Sequence, residues 1–412
     1  MPRVLVVSWH VPPQPDSGAV RVGGFLQHLP SRGWDPIVVT GPVPRGDEAL
    51  QSWGVPLPEA PLIQVPSGPD RPLVHARWVV PRRLARECFW LPDKWIAWYR
   101  PAAATAVEVG EGHRVDAVLS SGPPHTCHVV AATAARRLNV PWIADLRDLW
   151  TDNAAYLWVA PRRLADALLE RRVLRSARVL VTTSAPSAAI LRRRHPHHRV
   201  VPVATGVDER LVPTGPPPSS ERFDLVFTGQ IYPPHQDVRV LGQAVLALLG
   251  RRAAREHVRV RFFGDETDVR PAVETAATEL GLSDTMKWEA QCSRLESLEV
   301  QRRAQVLVLL GWLDGRHREL VPGKLFEYLA ARRPILSVGG TPAEPAALIE
   351  RAGAGIHVAD PDQAGAWLAE CYDDWRAHGA TWRPINPPAP WPTQREMAAH
   401  LGELLDELCT PG

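Results

Sequence analysis

Lysine is almost missing from this chain: Lys94, Lys287 and Lys324 are the only three in 412 residues, so arginine supplies nearly all the positive charge. Each lysine is therefore a position to inspect. Cysteine is scarce as well. Cys88, Cys127, Cys292, Cys371 and Cys409 are odd in number, widely spaced and form no Cys-x-x-Cys pair. That pattern argues against a disulfide framework or a zinc site and fits a reducing, cytoplasmic setting. No apolar run nears the roughly 18 residues that span a bilayer. The opening Arg3-Val4-Leu5-Val6-Val7 is too short for the apolar core of a signal peptide, so a protein integral to a membrane is not expected. Excess charge is also absent: 47 Lys+Arg against 45 Asp+Glu leave +2 at pH 7, too near neutral to hold the molecule on nucleic acid through phosphate neutralisation.

What is present is a two-domain α/β pattern. The length is about twice that of a usual single domain. Hydrophobic residues at 45% and charged residues at 22% place the chain among folded globular proteins and away from disordered ones. Val4 to Val7 reads as a strand buried on both faces. A proline-rich loop from Trp9 to Gly18 follows, then Ala19, Val22, Leu26 and Leu29 on one helical face, Gly33 as a stop, and Pro36 to Thr40 as the next strand. This β-loop-α-β unit predicts a parallel, doubly wound sheet. Asp116 to Ser120, Pro141 to Asp145 and Arg178 to Thr182 extend it, with a helical stripe of Leu164, Leu168, Leu169, Val173 and Leu174 before the last of these. The stretch Val212 to Ser220, with four prolines and a glycine, reads as a stiff linker. The alternation then restarts with strands at Phe223 to Thr228, Val258 to Phe263, Ala304 to Leu310 and Pro334 to Val338. Residues 1–212 and 213–385 are accordingly read as two domains, and 386–412 as an extended strap leading to a terminal helix. The Pro- and Trp-rich region from Pro42 to Pro92 shows no periodicity and is read as a substrate-facing insertion.

Ligands of parallel sheets gather beyond the carboxyl ends of the strands. Four loops qualify. Asp16-Ser17-Gly18 precedes the first helix, where small residues permit close backbone approach and the helix end favours anions; a simple N-cap turn is the competing reading. Ser120-Ser121-Gly122-Pro123-Pro124-His125 opens a helix, and His125 is placed to bond a sugar hydroxyl or phosphate or to exchange a proton, with capping or packing as the alternative. Asp145-Leu-Arg147-Asp148 leaves a strand with carboxylates that either orient a polyhydroxylated acceptor or pair with one another. The sharpest signal is Glu319-Leu320-Val321-Pro322-Gly323-Lys324-Leu-Phe-Glu327. Pro322 suits the first turn of a helix, which puts Leu320 to Gly323 at its N-terminus, Lys324 in the first turn and Glu327 one turn on. A diphosphate would meet amide groups, the positive helix end and one ammonium there. Glu327 lies in an otherwise apolar helix and needs a hydroxylated or cationic partner.

The spacing Glu319-x7-Glu327 within Pro-x-Lys-x-x-Glu-Tyr-Leu-Ala-Ala-x-x-Pro resembles the retaining bacterial glycosyltransferases of GT-B class, family 4. The Pro-x-x-x-Ser-Gly loop, Ser-Ser-Gly-Pro-Pro-His, Trp142 to Trp150, Phe227-Thr-Gly-Gln-Ile-Tyr232 and the terminal helix extend the similarity over most of the chain. The resemblance implies a GT-B fold, two Rossmann-like domains facing a cleft, with acceptor binding in the N-terminal one, donor binding in the C-terminal one and the last helix returning to the first. It implies catalytic roles for Glu319, His125 and Lys324, with Glu319 on the donor sugar. Gly18, Gly229, Gln230, Leu320, Val321 and Gly323 would line the diphosphate, Glu327 would hold the ribose hydroxyls, and Asp145, Arg147 and Asp148 would meet the acceptor. It implies no metal and no cofactor, the nucleotide diphosphate sugar being substrate and a hydroxylated acceptor (surface glycan, glycolipid or small natural product) receiving the sugar.

One position departs from the family. Its members commonly clamp the diphosphate with an Arg and a Lys after the first strand of the second domain, where this chain reads Gly229-Gln-Ile-Tyr-Pro-Pro-His-Gln-Asp237. Two alternatives to a transferase follow: a non-catalytic nucleotide-sugar-binding partner subunit, or a nucleotide-sugar epimerase. A nicotinamide dehydrogenase is disfavoured, since no Gly-x-Gly-x-x-Gly follows the first strand. Residues 160–200 carry ten arginines against Asp166 and Glu170. That segment reads either as a solvated helix face or as a peripheral contact with the inner face of a membrane or with a phosphate-bearing acceptor. It lacks the interleaved aromatics of a nucleic-acid groove. Oligomeric state is not legible.

Overall fold

The computed structural model describes residues 1–44, 46, 49, 53–66, 90–153, 160–213, 215–216, 218–251, 254–313, 319–381 and 391–410. The chain divides into two compact units, one of residues 1–50, 56–205 and 394–412, the other of residues 51–55 and 206–393. Most of the expected insertion and strap, Cys88 included, lies outside the described residues.

The first unit holds a seven-stranded parallel sheet of β1 (Arg3–Ser8), β2 (Asp35–Thr40), β3 (Leu62–Gln64), β4 (Ala117–Gly122), β5 (Trp142–Leu146), β6 (Val179–Thr182) and β7 (Arg199–Pro202), in the order β3-β2-β1-β4-β5-β6-β7. Helices α1 (Ser17–His28), α2 (Tyr99–His113), α3 (Thr126–Leu138), α4 (Ala160–Leu174) and α5 (Ala185–Arg194) connect them. Strand residues alternate between two cores, as the two-residue period requires. Leu5 and Val7 pack with Ala102 and Ala106 of α2 and Val130 and Ala131 of α3. Val4 and Val6 pack with Val22 and Phe25 of α1.

The second unit holds a six-stranded parallel sheet of β8 (Phe223–Thr228), β9 (Val258–Phe263), β10 (Met286–Glu289), β11 (Val306–Leu310), β12 (Ile335–Val338) and β13 (Gly355–Val358), in the order β10-β9-β8-β11-β12-β13. Its helices are α6 (Val238–Arg251), α7 (Val269–Glu279), α8 (Arg294–Arg303), α9 (Gly323–Ala331), α10 (Glu344–Arg351) and α11 (Pro361–His378). Phe223, Leu225 and Phe227 of β8 meet Leu241 and Val245 of α6 and Tyr372 and Trp375 of α11 in one core. The last helix, α12 (Gln394–Cys409), belongs to the first unit. Met397 and Leu401 join the α1 core, and Trp34 Nε1 donates to Asp406 at 2.8 Å.

The boundary between the units falls at residue 205/206 rather than at 212/213. Its cause is local: the Val207 amide donates to the Pro392 carbonyl at 2.8 Å and residue 207 bridges Thr393, which draws this segment into the second unit before the prolines begin. In both sheets the strand order reverses after the first strand, between β1 and β4 and between β8 and β11. Loops diverge at such points and leave room for a ligand.

Candidate active site

In the second unit, the loops leaving β8 and β11 lead to Gly229 and to α9. Gly229 has φ +108°, a left-handed backbone that glycine adopts without strain. A β-carbon placed on it would lie 3.3 Å from Lys324 Nζ. Lys324 is thus brought against the end of β8, and its ammonium sits 3.7 Å from the centre of the Phe227 ring. Burial pulls the Lys324 pKa from 10.5 down to about 7, with Glu327 opposing the shift. Helix α9 starts at Gly323, one residue later than the sequence suggested. Pro322 is its N-cap, with extended backbone (φ −67°, ψ 138°) and no side chain bonding the first turn. An anion arriving here would meet amide hydrogens not claimed by a capping side chain, together with a cation whose proton it would retain.

Glu327 has the cationic partner its apolar helix demands. Arg294 Nε donates to Oε1 at 3.3 Å and Gln301 Nε2 donates to Oε2 at 3.3 Å. Arg294 is itself fixed: Nη1 donates to the Trp53 carbonyl at 2.7 Å and the guanidinium lies 4.5 Å from the Trp53 ring centre. Gln301 also reaches Thr228 Oγ1 at 3.2 Å, while the Thr228 amide donates to Tyr328 Oη at 2.9 Å. The carboxyl end of β8, the two ends of α8 and the body of α9 are therefore one hydrogen-bonded corner. Sequence reading missed Arg294, Gln301 and Trp53. Arg294 was detectable as the residue after Ser293, whose capping box with Glu296 opens α8. Glu319 is 9% exposed, and Leu320 and Val321 are half-buried between it and α9. Gln230 follows Gly229 on the surface and accepts a hydrogen bond from Tyr232 Oη at 2.9 Å.

In the first unit, Gly18, His125, Arg147 and Asp148 lie at the carboxyl ends of β1, β4 and β5. Gly18 is in the first turn of α1, whose N-cap Asp16 accepts from the Ala19 amide at 2.8 Å and pairs with His10 Nδ1 at 2.7 Å. Glycine leaves the room that the guanidinium occupies: a β-carbon would stand 1.5 Å from Arg147 Nη1. The Arg147 guanidinium is steered to that turn by the β4 loop, Nε donating to the Gly122 carbonyl at 3.3 Å and Nη2 to the Pro123 carbonyl. His125 is buried and stacks on Trp150 with 4.8 Å between centroids and 3° between planes. Neither of its ring nitrogens finds a hydrogen-bond partner among the described residues. Burial, with His128 and Arg147 adding repulsion, holds its pKa well below the usual histidine range, so the ring is neutral at pH 7. His128 is the structural member of the pair: Nδ1 bonds Ser120 Oγ at 2.8 Å, which also accepts from Trp142 Nε1. Asp148 is half-buried, and burial raises its pKa against the pull of Arg147.

Asp145 does not meet an acceptor. Its carboxylate is wholly buried, taken up by Arg21 (Nη2 to Oδ1, 2.7 Å; Nε to Oδ2, 3.0 Å) and by Ser121 Oγ at 2.7 Å. Arg21 in turn donates to the Val203 carbonyl at 2.9 Å, so the pair joins α1, β5 and the segment after β7. A β5 residue pointing into the sheet's helical layer serves packing, whereas Arg147 and Asp148, past the strand end, are reachable.

Residues 18–206 match the model of the glycosyl transferase 4-like domain. No curated protein matches the chain. Among solved structures, sucrose-phosphate synthase from Thermosynechococcus elongatus superposes with a TM-score of 0.67 at 16% identity, covering 99% of each chain. HepE from Anabaena, in complex with UDP and glucose, gives 0.61 at 14% identity over 99% of this chain and 95% of that one. UDP-GlcNAc 2-epimerase from Methanocaldococcus jannaschii gives 0.56 at 11% identity over 98% and 99%. At these identities the likeness concerns fold. Two all-parallel α/β domains and these neighbours make this a chain of GT-B fold, whose residues 18–206 are similar to the glycosyl transferase 4-like domain.

Proposed function

We propose that the protein is a retaining glycosyltransferase that moves a sugar from a nucleoside diphosphate sugar, with UDP-glucose as the reference donor, to an acceptor hydroxyl. The observation that carries the reading is the corner of β8 and α9, where Lys324, Gly229 and the uncapped first turn of α9 converge. In this reading the diphosphate lies on that turn and keeps Lys324 protonated, and Glu327, held by Arg294 and Gln301, accepts from the ribose hydroxyls. Glu319 accepts from hydroxyls of the donor sugar. Stabilising the departing diphosphate by fixed dipoles and one ammonium supplies much of the rate, in place of the cation pair missing after β8. The diphosphate leaves from the face that the acceptor hydroxyl enters, and takes its proton. His125, neutral and without a partner of its own, bonds a sugar hydroxyl rather than delivering a proton. Arg147 and Asp148 orient the acceptor.

Proton NMR of the protein incubated with UDP-glucose tests this. Early appearance of α-configured glucose or glucoside, abolished in Glu319→Gln, supports the reading. A β-configured product refutes retention, a changed sugar still attached to UDP identifies an epimerase, and tight UDP-glucose binding without turnover identifies a binding subunit.

A further inference from the structure

Helix α4 turns Asp166 and Glu170 inward together with Leu169, Val173 and Leu174, and leaves Leu164 and Leu168, the first two positions of the stripe read from the sequence, facing outward. Asp166 accepts from Trp150 Nε1 at 3.1 Å and from Arg162 Nε, and Glu170 accepts from the Thr151 amide at 3.1 Å and pairs with His195 Nε2 at 2.9 Å. Asp166, Arg162, Glu170 and His195 are all buried. The outer face keeps Leu164 at 63% and Leu168 at 61% exposure, one turn apart, beside exposed Arg171, Arg172 and Arg175. The positive face continues across to α5. Arg171, Arg193, Arg194, Ile190 and Asp152 line an open pocket of about 520 Å³. Arg194 Nη2 neutralises Asp152 at 2.5 Å, whereas Arg171, Arg172, Arg175 and Arg193 have no carboxylate partner among the described residues.

An ordinary surface helix exposes charges of both signs and hides its leucines. Here the exposed charge is of one sign and the exposed large side chains are apolar. A second copy of the same face would bring arginines against arginines. A soluble polyanion would satisfy the arginines and leave the leucines in water. Only an anionic bilayer offers phosphates at one depth and acyl chains just below it. We propose that α4, with the C-terminal end of α5, docks the protein on an anionic membrane surface, Leu164 and Leu168 entering the acyl boundary and the four arginines meeting lipid phosphates. The proposal rests on this surface alone and does not depend on the donor assignment.

Vesicle co-sedimentation of the full chain tests it, using phosphatidylcholine with and without phosphatidylglycerol. Binding is expected on the phosphatidylglycerol vesicles, about tenfold weaker without the anionic lipid, and falling with salt. Leu164→Ser with Leu168→Ser, and separately Arg171→Glu with Arg193→Glu, each weaken binding by about tenfold or more while melting temperature and circular dichroism stay unchanged. Equal binding to both vesicle types, no binding to either, or variants that bind as the wild type overturn the proposal. So does a dimer seen by light scattering that the leucine variant dissolves, or tighter capture of transfer RNA than of anionic vesicles.

Discussion

Lys324→Met is expected to stabilise the ligand-free protein and weaken its hold on a diphosphate. The variant keeps length and apolar contact and removes the ammonium. Moving a lysine from 10.5 to about 7 corresponds to roughly 5 kcal/mol at 1.4 kcal/mol per tenfold. The ring face of Phe227, 3.7 Å away, returns part of this by cation–π attraction, and partial solvent access screens more. About 1–3 kcal/mol remains as the cost of the buried lysine, or a melting temperature higher by about 2–10 °C in the variant. The sign with pH follows from linkage. The unfolded chain keeps its proton up to the ordinary lysine range while the folded one gives it up near 7, so wild-type stability rises with pH across that interval. In Lys324→Met this rise is absent. Calorimetric titration with UDP then shows the opposite effect: loss of a charge-assisted contact of about 1.5–3 kcal/mol weakens binding by about 10- to 100-fold. Wild-type affinity falls as pH rises above 7, because binding takes up a proton that becomes scarce, and the variant's does not. A lower melting temperature together with unchanged UDP affinity would refute the reasoning.

Asp145→Ala leaves the Arg21 guanidinium buried without its counter-ion, a loss of about 3–5 kcal/mol; thermal melts fall by about 10 °C while KM for acceptor in the surviving fraction is unchanged. Gly18→Ala pushes the Arg147 guanidinium out of the α1 turn, and since alanine suits a helix better than glycine by about 1 kcal/mol, the melting temperature holds while steady-state transfer drops about tenfold or more. His125→Phe keeps the stack on Trp150 and removes two orphaned nitrogens, so chemical denaturation shows a gain of about 1–3 kcal/mol, whereas transfer is lost.

How much of this was legible in the sequence depended on burial. The nine strands expected from apolar runs are all present, and the four that were not expected, β3, β7, β10 and β13, are the edges of the two sheets. Edge strands here are three or four residues long and half exposed, as in the pattern of β7 and β13, so no continuous apolar run marks them. The α9 corner was readable because proline, glycine, lysine and glutamate at fixed offsets report a helix start. The residues that hold it, Arg294 from 33 positions upstream and Trp53 from 241 further, share no local pattern with Glu327. The α4 stripe holds at Leu169, Val173 and Leu174 and fails at Leu164 and Leu168, for a different reason. These two leucines have helical spacing, but Asp166, bonded to Trp150 and Arg162, and Glu170, bonded to Thr151 and His195, take the inner face beside them. Asp145 was misassigned because position at a strand end does not reveal whether the side chain points outward or, as here, back onto Arg21.

The most direct measurement is a crystal structure of the second-domain corner with UDP bound. The account predicts the β-phosphate on the first turn of α9, within hydrogen-bond distance of the Gly323 or Lys324 amide and of Lys324 Nζ, with the ribose hydroxyls on Glu327. A diphosphate seated elsewhere, with Lys324 still folded over Phe227 and Glu327 bonded only to Arg294 and Gln301, would contradict it.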